Sequence, residues 1–160
     1  MPLRALFLDR DGTLITDVGY PRDPDQVEII AGAIEALRVL QRDWALVVIS
    51  NQSGIGRGLI TEAEARAVHE RFLAQFAAAG VAFAGSYYCP HAPDAACRCR
   101  KPAPGLLHDA ARDLDLDLAA SVMIGDKPSD LEAGRAAGCA VLAYSTWPAL
   151  IASLAQPGYE

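Results

Sequence analysis

The run Ala45–Leu46–Val47–Val48–Ile49 contains no polar residue. A strand covered on both faces reads as such a continuous apolar run, because neither face can be left to water. It commits the chain to a sheet with helices on both sides. Further strand candidates are Arg4–Leu8, Ser86–Tyr88, Val122–Ile124 and Cys139–Tyr144. Helix-period segments alternate with them. Ala31–Leu40 places Ile34, Leu37 and Leu40 on one face. The pair Thr61 and Glu64 forms a capping box, and the helix it starts carries Ala65, Val68, Phe72 and Phe76 before Gly80 stops it. Pro104 opens a helix through Leu107, Ala110, Ala111 and Leu114, and Gly138 stops another over Ser129–Ala137. This alternation predicts an α/β fold, a doubly wound, Rossmann-like parallel sheet in one domain over residues 1–160. Residues from Gln156 onward are expected to fray.

Composition removes several function classes. A chain of 160 residues suits one domain, and 52% hydrophobic residues can build its core, so whole-chain disorder is excluded. Lys and Arg number 14 against 20 Asp and Glu, a formal charge of −6, so no basic nucleic-acid-binding surface is expected. No apolar run is long enough to span a membrane. The first apolar stretch is short and is broken by Asp9, Arg10 and Asp11, so it does not read as a secretory leader, and the cytoplasm is the expected compartment.

In sheets of this kind ligands bind beyond the carboxyl ends of the strands, so the loops there carry the functional signal. The first is Asp9–Arg10–Asp11–Gly12–Thr13 and the second Ser50–Asn51–Gln52–Ser53–Gly54. The third holds a Cys/His cluster followed by Arg100 and Lys101, and the fourth is Gly125–Asp126–Lys127–Pro128–Ser129–Asp130. Asp9 and Asp11 suit a nucleophile and a proton donor–acceptor, although a two-apart pair alone fits a solvated turn or a helix cap equally. Asp126 and Asp130 fit a helix cap as well as a cation site. Cys89, His91, Cys97 and Cys99 place three thiols and an imidazole within one short segment. In a reducing compartment that pattern suits tetrahedral zinc, and four protein ligands leave no open position, so the zinc is expected to be structural. Gly54–Ile55–Gly56–Arg57–Gly58 lacks P-loop spacing and reads as a flexible turn with Arg57 near the substrate. Cys139 reads as a buried small hydrophobe, and His69 and His108 as ordinary helical residues without ligand-spaced neighbours.

Taken in order, these motifs resemble the haloacid dehalogenase superfamily of aspartate-nucleophile phosphohydrolases. Leu8–Asp9–Arg10–Asp11–Gly12–Thr13 matches its first motif, Ser50 the second, Lys101 the third, and Gly125–Asp126 with Asp130 the fourth. The resemblance covers nearly the whole chain. It implies that Asp9 is the nucleophile and Asp11 the acid/base, and that Ser50 and Lys101 hold the phosphoryl group. It also implies Mg²⁺ on Asp9, Asp126 and a backbone carbonyl near Asp11, supported by Lys127 and Asp130. A phosphate monoester dianion repels a bare carboxylate, so a bridging cation is physically required.

The cysteine segment running into Arg100–Lys101–Pro102, with Asn51–Gln52–Ser53–Gly54, looks like one branch of that superfamily. The branch holds heptose bisphosphate phosphatases and histidinol-phosphate phosphatases. Its members lack a large cap domain, and here the segments between motifs leave no room for one. The resemblance to the heptose type implies substrate contacts from Asp17, Gly19, Tyr20, Asn51, Gln52, Ser53 and Arg100, with Arg100 suited to a second phosphate. It also implies a small phosphorylated sugar as substrate, and neither nucleic acid nor membrane is expected as a partner of what is read as a monomer. The short stretch between His91 and Cys97 keeps histidinol phosphate as the alternative. A catalytically dead, zinc-braced binding module is the alternative of another class, against which the intact Asp9, Asp11, Ser50, Lys101 and Asp126 argue.

Overall fold

The computed structural model describes residues 2–159. Five strands form one sheet: β1 (Ala5–Leu8), β2 (Ala45–Asn51), β3 (Gly85–Cys89), β4 (Val122–Gly125) and β5 (Ala140–Ala143). Their order is β3-β2-β1-β4-β5, and every pairing is parallel. The chain winds outward from β1 to β3, then crosses to β4 on the other side of β1. The crevice for a ligand therefore lies at the carboxyl ends of β1 and β4.

Alternate residues of each central strand enter different cores, as a doubly covered sheet requires. Leu6, Leu8, Leu46, Val48, Val122 and Ile124 face a core built with α1 (Ala33–Leu40), α3 (Glu62–Ala78) and α6 (Trp147–Leu154). Ala5, Phe7, Val47, Ile49 and Met123 face a second core with α4 (Gly105–Leu114) and α5 (Pro128–Ala136). Thr61 caps α3 as the sequence predicts: its side chain accepts from the Glu64 N–H, and the Glu64 side chain accepts from the Thr61 N–H. Between Thr13 and α1 there is only the 3₁₀ turn Pro24–Gln26, so that segment holds no folded insert.

Three details differ from the sequence reading. The Gly54–Gly58 segment is not a plain turn, because Ser53–Gly56 closes a short helix, α2, at the end of β2. The tail does not simply fray. Tyr159 packs against the first core, and its carbonyl accepts a hydrogen bond from Arg4 Nη1. Helix α6 has no counterpart among the elements expected from the sequence, and it contains Pro148. The proline sits in the first turn, where a missing N–H costs nothing, and Thr146 caps that turn by accepting from the Ala149 N–H at 3.3 Å.

That helix matters to the site. Trp147 is fully buried, and its Nε1–H donates to the Thr13 carbonyl at 3.0 Å, anchoring the loop that follows β1. Trp147→Phe keeps most of the apolar burial but leaves that carbonyl unpaired. Its stability to denaturant is expected to fall by about 1–3 kcal/mol, the range for orphaning a buried polar group. An unchanged denaturation midpoint would show that the Thr13 carbonyl finds another donor.

Candidate active site

The loops after the strands converge on a cleft of about 350 Å³. Asp9 follows β1 directly, and its N–H extends the pairing by donating to the Ile124 carbonyl of β4 at 3.0 Å. The residue is only 6% exposed. Lys101, reached from the cysteine loop, is 3% exposed and keeps its ammonium inside the site. It donates to Asp9 Oδ1 at 2.9 Å and to the Ile49 carbonyl at 2.8 Å, and it forms an ion pair with Asp130 Oδ1 at 2.6 Å. Asn51 fixes the Lys101 backbone from both sides. Its Oδ1 accepts from the Lys101 N–H at 3.0 Å, and its Nδ2 donates to the Lys101 carbonyl at 3.2 Å.

Asp9, Asp126 and Asp130 each present a carboxylate oxygen within 4.8 Å of the others. Two glycines admit them. A Cβ on Gly12, whose φ is +91°, would lie 2.4 Å from Asp126 Oδ2, and one on Gly125 would lie 2.3 Å from Asp130 Oδ2. Three carboxylates face one ammonium, an excess of two negative charges if all ionise. The set is all hard oxygen, which suits a divalent cation such as those held by carboxylates and water. Burial pushes the Asp9 carboxyl up to about 7 despite the pull of Lys101, and the Asp130 charge adds to the rise. Burial alone would depress the Lys101 ammonium, but Asp9 and Asp130 outweigh it and hold it above the usual lysine value.

Asp11 lines the same cleft but is not one of the three clustered carboxylates. Its Oδ1 and Oδ2 accept from Arg10 Nε and Nη2 at 3.1 and 3.2 Å, and Oδ2 also accepts from Gln52 Nε2 at 2.8 Å. The same Gln52 amide donates to Ser50 Oγ at 2.7 Å, so one side chain joins the loops after β1 and β2. Asp17, Gly19, Tyr20 and Ser53 line the cleft at its exposed end, with Arg57, Arg100 and Lys127. Asp17 holds the turn at Gly19 by accepting its N–H at 2.9 Å, and Lys127 Nζ lies 3.7 Å from Asp17 Oδ2. The Arg57 guanidinium lies 5.9 Å from the Tyr20 ring centroid. Arg100 has a buried Nη1 with no hydrogen-bond partner, a cation left over inside the cleft wall.

The cysteine loop forms a second cluster. Cys89 Sγ, His91 Nδ1, Cys97 Sγ and Cys99 Sγ lie within 4.8 Å of one another, and all the cysteines are free thiols. Cys89 lies 3.0 Å from Cys99 and 3.2 Å from His91 Nδ1. The four atoms could hold one metal ion. Burial pushes the Cys89 thiol up to about 12, so an unmetallated cluster holds at least one reluctant thiol. The loop seats on α2, where the Gln52 and Gly56 N–H groups donate to the Cys89 and Pro90 carbonyls, each at 2.7 Å. Cys99 leads directly into Arg100 and Lys101.

Two residues of this region carry no role in the sequence reading. Arg10 sits between the two aspartates and is 3% exposed. His69 lies one position from the apolar stripe of α3, stacks on Phe72 at 5.3 Å and reaches Arg10. Its place three residues before Phe72 on one helix was the available signal. Among the described residues, no helix is long and apolar enough to cross a membrane.

Comparison with known proteins agrees with this geometry. A HAD-hydrolase-like family model matches residues 98–146. The chain is 46% identical over 141 residues to a D-glycero-β-D-manno-heptose-1,7-bisphosphate 7-phosphatase of Photorhabdus laumondii, covering 83% of this chain and 75% of that protein. It is 46% identical to the protein of that name from Escherichia coli K12, covering 83% of this chain and 74% of that one. A crystal structure of the D,D-heptose 1,7-bisphosphate phosphatase of B. bronchiseptica, complexed with magnesium and phosphate, superposes with a TM-score of 0.87. It is 32% identical, over 95% of this chain and 98% of that one.

A divalent cation bound by the Asp9, Asp126 and Asp130 carboxylates would compete with a proton for Asp9. A carboxyl raised to about 7 gives the cation-free fold an extra bound proton between the unfolded carboxylate range and that value. Its contribution is present at low pH and is lost as pH rises through about 7. The melting temperature in chelator is therefore expected to fall between pH 6 and pH 8 by more than it does with a divalent cation present. In Asp9→Asn the extra stabilisation by cation at the higher pH disappears. An equal cation effect at both pH values would contradict the competition.

Proposed function

Since the chain belongs to the D-glycero-β-D-manno-heptose-1,7-bisphosphate 7-phosphatase family of haloacid dehalogenase-like hydrolases, we propose that it removes the 7-phosphate of that heptose bisphosphate. The observation that carries the reading is Asp9, buried at the carboxyl end of β1 and held by Lys101 beside two further carboxylates.

In the first half-reaction an Asp9 carboxylate oxygen attacks phosphorus. The bond from phosphorus to the sugar oxygen breaks, and Asp11 gives that oxygen its proton. The products are heptose 1-phosphate and an aspartyl phosphate on Asp9. In the second, Asp11 takes a proton from water, the water oxygen attacks phosphorus, and inorganic phosphate leaves Asp9. Lys101 and the Ser50 hydroxyl stabilise the phosphoryl oxygens. Asp9, Asp126 and the backbone near Asp11, with Asp130 in support, are the residues that would hold Mg²⁺, whose charge offsets the repulsion between nucleophile and phosphate dianion. Cys89, His91, Cys97 and Cys99 would hold Zn²⁺ in a closed site. Its role would be to brace the loop that delivers Arg100 and Lys101. Asn51 and Gln52, read as substrate contacts, line the cleft and also fix Lys101, Ser50 and Asp11.

The unpartnered Arg100 Nη1 supports a substrate with a second phosphate, and Arg57 and Lys127 add positive charge at the exposed end. Histidinol phosphate has one phosphate and a cationic amine, which these groups repel. The expected outcome is magnesium-dependent phosphate release from the heptose bisphosphate far exceeding that from histidinol phosphate. Arg100→Ala is expected to lower kcat/KM on the bisphosphate by about 10–100-fold, the worth of one charge-assisted hydrogen bond. Asp9→Asn is expected to abolish turnover in a folded protein. Faster hydrolysis of histidinol phosphate would overturn the substrate, and substantial turnover by Asp9→Asn would overturn the mechanism.

The zinc reading has its own check. Cys97→Ser is expected to lose bound zinc and melting temperature together. A protein that carries no zinc as purified, or zinc whose removal leaves stability unchanged, would count against it.

A further inference from the structure

Arg10 is almost entirely buried, and each edge of its guanidinium is committed. Nε and Nη2 donate to the two oxygens of Asp11 at 3.1 and 3.2 Å. Nη1 meets His69 Nδ1 at 3.2 Å. A guanidinium N–H can only donate, so Nδ1 is the acceptor and the imidazole carries its proton on Nε2. Burial, reinforced by the Arg10 charge, lowers the His69 pKa to about 4, which keeps the ring a neutral acceptor.

The other nitrogen exposes what the histidine is for. Its Nε2 is buried and has no hydrogen-bond partner. A buried unpaired donor costs free energy. Leucine or methionine would fill the space beside Phe72 and Tyr88 without that cost. Packing therefore does not explain a histidine here, whereas the bond from Arg10 to Nδ1 does.

We propose that His69 is a positioning residue for proton transfer by Asp11, acting through Arg10. By accepting at the third edge of the guanidinium, it stops the fork from rotating about its stem and so fixes where the Asp11 carboxylate rests. The bidentate pair sets both oxygens of Asp11 in one plane, and a planar fork does this as an ammonium cannot. This inference rests on Asp11 being the acid/base.

The test compares parent, His69→Leu, His69→Gln and Asp11→Asn, each loaded with magnesium, in single-turnover release of the leaving group. Two substrates are used: the heptose bisphosphate, whose leaving alkoxide needs a proton, and nitrophenyl phosphate, whose leaving phenolate does not. His69→Leu is expected to slow the first step on the sugar about tenfold, a fraction of what general acid catalysis supplies, with little change on the aryl ester. Sugar binding should be unchanged. His69→Gln can offer an amide oxygen to Arg10 and is expected to recover most of the loss. An equal loss on both substrates, no loss on either, or a glutamine variant no better than leucine would overturn the proposal. If His69→Leu does not fold, His69→Met makes the same comparison. Asp11→Asn separates the two layers. If it too is insensitive to the leaving group, the acid role fails and the proposal with it. If it is selective while His69→Leu is not, only the role of His69 fails.

Discussion

The buried ammonium of Lys101 is the contact on which the site depends. It donates to the loop after β1 and to the end of β2, and it pairs with a carboxylate in the first turn of α5. Three segments far apart in sequence are thus tied at one nitrogen. Nothing else with positive charge among the described residues bonds both Asp9 and Asp130. Removing one partner of a buried ion pair typically costs about 3–5 kcal/mol, because the remaining charge is stranded. Here two carboxylates would be stranded facing each other. Lys101 is consequently a structural and a chemical residue at once, and Asn51 fixes its backbone from the neighbouring strand.

That arrangement leaves the acidic cluster under-compensated, and the imbalance is useful. A fully neutralised trio of carboxylates would have no affinity for a divalent ion. One lysine suffices to hold Asp9 and Asp130 in place while the remaining charge attracts a cation, as hard-oxygen sites require. Gly12 and Gly125 make the spacing possible, since a side chain at either would occupy the position of a carboxylate oxygen. The motif glycines are thus required by distance to Asp126 and Asp130 as much as by the turn itself.

The sheet was legible in the sequence because apolar runs such as Ala45–Ile49 have only one economical burial, between two layers of helices. The convergence of Asp9, Ser50, Lys101 and Asp130 at one edge follows from that topology, since each comes after, or reaches, a strand end. The cysteine cluster was legible from spacing alone. What escaped the sequence depends on side-chain reach across elements. Arg10 looks like a surface charge beside Asp11, and only the packing of α3 over β1 brings His69 to it. Gln52 reads as a substrate contact, and the sequence does not show that its amide also lies between Ser50 and Asp11. Helix α6 was not read from the sequence, and its Pro148 is tolerated because it falls in the first turn.

The burial pattern across the cleft follows from its openness. No folded insert covers the carboxyl edge between Thr13 and α1, so water reaches the exposed end of the site. Water competes with any hydrogen bond that is meant to fix a reacting group, and a site closed by a lid removes that competition. Without a lid, geometry has to be fixed from beneath. Asp9, Arg10, Ser50, Gln52, Lys101 and Asp130 are each at most 7% exposed. Tyr20, Arg57 and Lys127, which face the open end, are exposed and lightly held. Pre-organisation therefore resides in the residues around the nucleophile, while the outer residues stay free to adjust to what binds. In that division Arg100 stands at the boundary, anchored through its neighbour Lys101 yet with a buried N–H still unpaired, which places a fixed positive charge where the buried half of the cleft meets its open half.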